Sequence, residues 1–215
     1  MTGILFDLDG TLLNTLDDLA DAVNHTLRAF GYPVRSTQEI RCFVGNGAAR
    51  LMQLAVPQGE KWEEPLAQFQ NYYREHCRQK TAPYPGVCDM LKKLSSRPIA
   101  IVSNKPDAAA KKLCAFYFPG IYTQGERPDC PRKPAPDMVR AAMEHIQADS
   151  CIYVGDSEVD VLTAANAGVP CLSVLWGFRN EQEIRQAGGR YFCSDPTQLP
   201  DLLETMIEEL VENGK

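Results

Sequence analysis

Short apolar runs rich in β-branched residues recur along the chain at Gly3–Leu8, Pro98–Val102, Ser150–Val154 and Val169–Leu175, with less regular ones around Ile121 and Tyr191. Runs of this kind, bounded by small or polar residues, read as buried strands. Between them the apolar positions fall at helical spacing: Val87, Met90, Leu91 and Leu94, then Ala109–Phe116, Met138–Ile146, Val161–Ala167 and Leu202–Leu210. Strand and helix in alternation predict an open, largely parallel α/β sheet, in which ligands sit at the carboxyl ends of the strands.

One stretch breaks this order. From about Asn14 to Lys80 the pattern is helical throughout, opening with Leu16, Leu19, Ala20, Val23, Leu27 and Phe30 on one face and stopping at Gly31, a natural terminator. Ser36 with Glu39 reads as a capping box for a second helix. Further helices are expected after Gly47 and from Glu60 to Lys80, before the turn-rich Pro83-Tyr84-Pro85-Gly86 restores the alternation. The expected division is therefore a core of residues 1–13 and 84–215 with a helical insertion at 14–83.

Composition narrows the classes. With 44% apolar and 23% charged residues the chain is globular, and no run approaches the ~18 apolar residues of a membrane helix. A net charge of −6 argues against nucleic acid and anionic lipid as partners. The first basic residue is Arg28, so the start of the chain lacks the basic region of a leader. The eight cysteines form no C-x-x-C and are expected to be reduced thiols of a cytoplasmic protein. Three histidines, none at H-E-x-x-H spacing, argue against zinc.

The chemistry-bearing residues lie where the predicted strands end. Asp7 and Asp9 stand at i and i+2, pointing to one side, a costly pairing unless a cation or proton lies between them. Gly10 and Thr11 add a tight turn and a hydroxyl. After the third clear strand comes Gly155-Asp156-Ser157-Glu158-Val159-Asp160, with Asp156 at the strand end and Asp160 one helical turn on. Alone, this could be an N-cap with acids at a helix start; with Asp7 and Asp9 it makes an oxygen-ligand site suited to magnesium. Ser103-Asn104 offers a hydroxyl and backbone N–H groups at a strand-to-helix turn, where anions bind. Lys133 ends a loop stiffened by Pro128, Pro131, Pro134 and Pro136.

Asp7-Leu8-Asp9-Gly10-Thr11, Ser103-Asn104, Lys133-Pro134 and Gly155 to Asp160 together resemble the four ordered motifs of the haloacid dehalogenase superfamily. More narrowly, Val44-Gly45-Asn46-Gly47, Ser103-Asn104-Lys105-Pro106 and Lys133-Pro134-Ala135-Pro136-Asp137 resemble bacterial phosphoglycolate phosphatases. The resemblance implies a Rossmann-like core with an inserted helical cap of the C1 type, and a magnesium-dependent phosphatase acting on a small phosphomonoester, 2-phosphoglycolate being favoured. It implies Asp7 as nucleophile forming an aspartyl-phosphate and Asp9 as general acid and base. The metal would be held by Asp7, the Asp9 carbonyl and Asp156, with Asp160 and Ser157 behind them. Thr11, Ser103, Asn104 and Lys133 would bind the phosphoryl group.

Gly45, Asn46 and Gly47 could be taken for a dinucleotide loop, but Arg50 stands where G-x-G-x-x-G needs its third glycine. On the family reading they are a cap loop that closes over the core. Arg50 is then a candidate partner for a substrate carboxylate, a solvated helix residue being the plainer alternative; contact between Lys105 and substrate is open in the same way. Two departures from the family pattern bear on substrate: Asn14 stands where Asp is frequent, and Gln124–Arg132 lacks a Gly-rich form. Dehalogenases do not need the second carboxylate of Asp9, and carbon–phosphorus hydrolases need a cap lysine absent from Leu16–Phe30. A pyrophosphatase, a sugar-phosphate phosphatase or a phosphomutase shares the same core motifs. A catalytically silent binding member would lack one of the nucleophile, acid/base, lysine or metal positions, and all are present. The expected assembly is a monomer or small homo-oligomer.

Overall fold

The structure, a computed structural model, describes residues 1–213. In chain order the first half comprises β1 (Thr2–Phe6), β2 (Leu13–Asn14), α1 (Leu16–Ala29), α2 (Thr37–Phe43), α3 (Gly47–Ala55), α4 (Glu63–His76), β3 (Ala82–Pro83) and α5 (Val87–Lys93). There follow β4 (Ile99–Pro106), α6 (Asp107–Tyr117), β5 (Tyr122–Glu126), α7 (Asp137–His145), β6 (Ser150–Gly155), α8 (Glu158–Ala167), β7 (Cys171–Val174), α9 (Glu181–Gln186), β8 (Tyr191–Cys193) and α10 (Leu199–Asn213).

Both faces of the sheet are buried, which is why its strands read as continuous apolar runs rather than alternating ones. Successive side chains still go to opposite faces. Ile4, Phe6, Ile101, Ile152 and Val154 enter one apolar layer with Met90 of α5, Leu113 of α6 and Leu203 of α10. Leu5, Ala100, Val102 and Tyr153 enter the other with Met138 and Val139 of α7 and Ala164 of α8. The main sheet is parallel throughout, in the order β5-β4-β1-β6-β7-β8. Strand order thus reverses at central β1, and a parallel sheet opens a crevice for ligands at the carboxyl ends of the strands beside such a switch point.

The helical insertion enters and leaves through a two-stranded neck. Asn14, expected at the head of the helical stretch, instead pairs in β2 with Ala82 of β3. Asp18 closes this neck: its buried carboxylate accepts the Lys80 and Thr81 backbone N–H groups at 2.8–3.0 Å. On α1 the expected face is buried at Leu19, Ala20, Val23 and Leu27. Gly31, at φ +71°, ends the helix: its own N–H reaches Arg28 O and that of Tyr32 reaches Leu27 O, the two bonds of a Schellman cap. The Ser36–Glu39 box is formed in both directions. Among the described residues no helix is long and apolar enough to cross a membrane, and all eight cysteines are free thiols.

Candidate active site

The carboxyl ends of β1, β4 and β6 converge beneath the insertion. β1 releases Asp7 and Asp9, and β6 releases Asp156 one residue past Gly155. Strand β4 runs on to Pro106, so Ser103 and Asn104 lie within it rather than at the turn expected from the sequence. Lys133 arrives from the loop between β5 and α7 and is buried to 1% exposure, far from the solvated state usual for a loop lysine.

Two ion pairs divide the two aspartates between them. Lys133 Nζ lies 2.9 Å from Asp7 Oδ1 and 2.8 Å from Asp160 Oδ1, and donates to Tyr153 Oη at 3.0 Å. Lys105 Nζ lies 2.8 and 3.1 Å from the two oxygens of Asp9, whose Oδ1 also accepts from Thr15 Oγ1 at 2.6 Å. Asn104 fixes the first pair from behind: its Nδ2 donates to Lys133 O and its Oδ1 accepts the Lys133 N–H, at 3.0 and 2.9 Å. The same Nδ2 donates to Gly45 O of the cap loop at 3.0 Å.

Asp7, Asp156 and Asp160 each present an oxygen within 4.8 Å of the others, all buried. Burial pushes the Asp7 carboxyl up to about 7, Asp160 and Asp9 adding repulsion against the opposing pull of Lys133. Burial, then Asp160 and Asp7, hold Asp156 well above the usual carboxylate range. Burial alone would lower Lys133, but Asp160 and Asp7 outweigh it and keep the ammonium strongly charged. Three carboxylates facing one ammonium leave two negative charges unbalanced, the charge a divalent cation cancels. Glycines let the backbone close directly on this carboxylate: a Cβ at Gly10 or Gly177 would come within 2.3 or 2.5 Å of Asp156 Oδ2. Hard oxygen donors in this number suit such an ion. Asp160 is already committed, with Oδ1 on Lys133 and Oδ2 accepting from Ser157 N and Oγ.

A cavity of about 300 Å³ opens from Asp7 and Asp9 toward the insertion, with Ser103, Lys105, Gly45, Gly47 and Tyr73 on its walls. Three residues expected here are elsewhere. Arg50 is exposed on α3 and donates to Gln53 at 2.7 Å, because the cavity side of that helix is taken by Ala48 and Leu51. Asn46 does not line the cavity, whereas its neighbours do. Thr11 spends its hydroxyl on Asp156 Oδ1 at 3.0 Å, so it orients that carboxylate instead of facing the cavity.

Other residues were missed. Arg41 of α2 donates to Phe178 O and Gly177 O, and Arg179 donates in return to Arg41 O and Val44 O, a reciprocal clasp between insertion and core. The exit of β7, which carries Gly177–Arg179, is a strand end of the kind that points to a site, and this was the available signal. Tyr73 gave none: Pro65, Phe69 and Tyr73 form a four-residue repeat that reads simply as core.

Residues 4–174 match the haloacid dehalogenase-like hydrolases, and the chain belongs to that family. The family fold and the buried aspartate cluster make it an enzyme of the phosphatase type. Its relatives include a phosphoglycolate phosphatase of Cereibacter sphaeroides, 33% identical over 96% of this chain and all of that one. Another, from Rhodobacter capsulatus, is 36% identical over 82% of this chain and 85% of its own. The crystal structure of a candidate phosphoglycolate phosphatase from Lactobacillus delbrueckii subsp. bulgaricus superposes with a TM-score of 0.88 at 30% identity, covering 94% and 98% of the two chains.

Proposed function

We propose that this protein is a magnesium-dependent phosphatase that hydrolyses 2-phosphoglycolate through an aspartyl-phosphate on Asp7. The observation that carries the reading is that Asp7 and Asp9 face one small cavity while Lys133 and Asp156 stand buried directly beside Asp7. The relatives named as phosphoglycolate phosphatases support the choice of ester.

Asp7 attacks phosphorus and the bond to the alkoxide breaks, while Asp9 delivers a proton to the departing oxygen. Asp9 then takes a proton from the water that attacks the acyl phosphate; the bond to Asp7 breaks, inorganic phosphate leaves and the carboxylate is restored. Asp7, Asp156 and the backbone carbonyl of Asp9 would hold magnesium, which supplies the charge neutralisation that lets an anionic nucleophile approach an anionic ester. Ser103 and Lys133 bind the transferring oxygens. Asn104 contributes by holding Lys133, and Thr11 by orienting Asp156. Residues 14–83 act as the cap that chooses the substrate, with Gly45 and Gly47 closing the cavity over a core of residues 1–13 and 84–215. The free thiols support a cytoplasmic location.

Phosphate release across 2-phosphoglycolate, sugar phosphates, nucleotides and pyrophosphate tests this. The highest kcat/KM is expected for 2-phosphoglycolate, with activity lost to a chelator and restored by magnesium. Dominance of pyrophosphate would overturn the substrate, and absence of magnesium-dependent release from every ester would overturn the phosphatase.

A further inference from the structure

Beside the phosphoryl site, the cavity holds a second arrangement. Lys105 is 5% exposed, and its ammonium stands 4.7 Å over the ring of Tyr73. Tyr73 is 4% exposed and its hydroxyl has no hydrogen-bond partner among the described residues. Buried hydroxyls are nearly always paired, so an unpaired one on a residue that lines the cavity leaves a donor unmet beside it. An ammonium carries three donors. The Asp9 carboxylate engages two at most, leaving Lys105 another to offer. Among the described residues lining the cavity, Lys105 is the buried cation. The other, Arg74, is exposed and turned to Glu75 and Asn71.

We infer that Lys105 and the Tyr73 hydroxyl form the subsite that reads a carboxylate on the tail of the substrate. The inference rests on the phosphatase reading and assigns its specificity to two residues, one on each side of the cavity. Distance supports it. With Asp9 serving the departing oxygen, Lys105 Nζ lies one hydrogen bond further along. A carboxylate separated from that oxygen by a single methylene, as in 2-phosphoglycolate, falls within its reach, while a longer tail carries the charge past it. Charge supports it as well: an ammonium and a phenol hydroxyl both donate, and both suit an anionic acceptor. The ring face under Lys105 adds a cation–π contact that keeps the ammonium at the cavity wall. Lys105 enters from β4 and Tyr73 from α4 of the insertion, so the subsite is complete only when the insertion covers the core.

The test compares kcat/KM for 2-phosphoglycolate with that for ethyl phosphate, which keeps the chain length and replaces the carboxylate by a methyl group. The wild type should favour the charged ester. Lys105→Met should cut that preference at least about tenfold, chiefly through KM. Tyr73→Phe, which removes only the orphan hydroxyl and leaves the Asp9 pair whole, should cut it severalfold, through KM for 2-phosphoglycolate. If both variants slow the two esters equally, or leave the ratio unmoved, the subsite is refuted and Lys105 serves Asp9 alone. Should Lys105→Met fail to fold, Tyr73→Phe decides by the same ratio. Failure of the wild type to release phosphate from either ester would instead overturn the phosphatase reading beneath it.

Discussion

The two flanks of Asp7-Leu8-Asp9 are built from the same parts and differ in how completely they are satisfied. On each, a buried lysine pairs with an aspartate and lies near a tyrosine ring. On the Asp7 flank the lysine and the tyrosine hydroxyl are both fully partnered: Lys133 touches two carboxylates and Tyr153 Oη, and that hydroxyl donates onward to Val102 O at 3.0 Å. On the Asp9 flank the tyrosine hydroxyl has no partner among the described residues, and the lysine lines a cavity. A closed network holds reacting groups in one geometry; an open one leaves valences for something that arrives. The contrast assigns chemistry to the first flank and choice of substrate to the second.

The sharpest way to break this division is at the centre. Asp7→Asn preserves shape and can still accept the Lys133 bond, yet turnover of an aryl phosphate should fall by at least about ten-thousandfold, on the order of 5.5 kcal/mol of barrier. Near-normal activity would remove the nucleophile from the Asp7 flank. Next in size is Lys133→Met. It strands the Asp7 and Asp160 carboxylates in a buried site, and losing one partner of a buried pair costs about 3–5 kcal/mol. Urea unfolding in chelator should show that loss. A change near zero would mean that the Asp7 flank is not the closed network described.

This division was only half legible in the chain. The strands and the paired aspartates could be read because a sheet buried on both faces demands unbroken apolar runs, and because carboxylates two residues apart at a strand end need a reason. The Schellman stop at Gly31 and the Ser36 box were equally local. What escaped was set by tertiary contact. Asn14 lies in a two-residue strand too short to show any period, formed only because Ala82 comes alongside. Helix α9 buries Ile184 alone, too little for an apolar face. Arg50, a candidate partner for a substrate carboxylate with a solvated helix residue as the plainer alternative, is sent outward by helical geometry. Lys105 was adjacent to a motif and still undecided, for nothing in sequence brings Tyr73 over it.

The two tyrosines give the finest discrimination, because one substitution applied to each should produce unlike results. Tyr153→Phe deletes a hydroxyl that accepts from Lys133 and donates to Val102 O, leaving a buried donor and a buried acceptor unmet. A stability loss of about 1–3 kcal/mol in urea unfolding is expected. Tyr73→Phe deletes a hydroxyl that has no hydrogen-bond partner among the described residues. The ring remains under Lys105, packed near parallel to Phe69 at 5.5 Å between centroids, so the cation–π contact and the apolar packing survive. Stability should stay within about 0.5 kcal/mol of wild type, or rise slightly, since the change removes an unpaired polar group from a buried place. A loss as large as that of Tyr153→Phe would show that the Tyr73 hydroxyl is bonded within the protein. The two flanks would then be alike, and the open valence that distinguishes the Asp9 side would be gone.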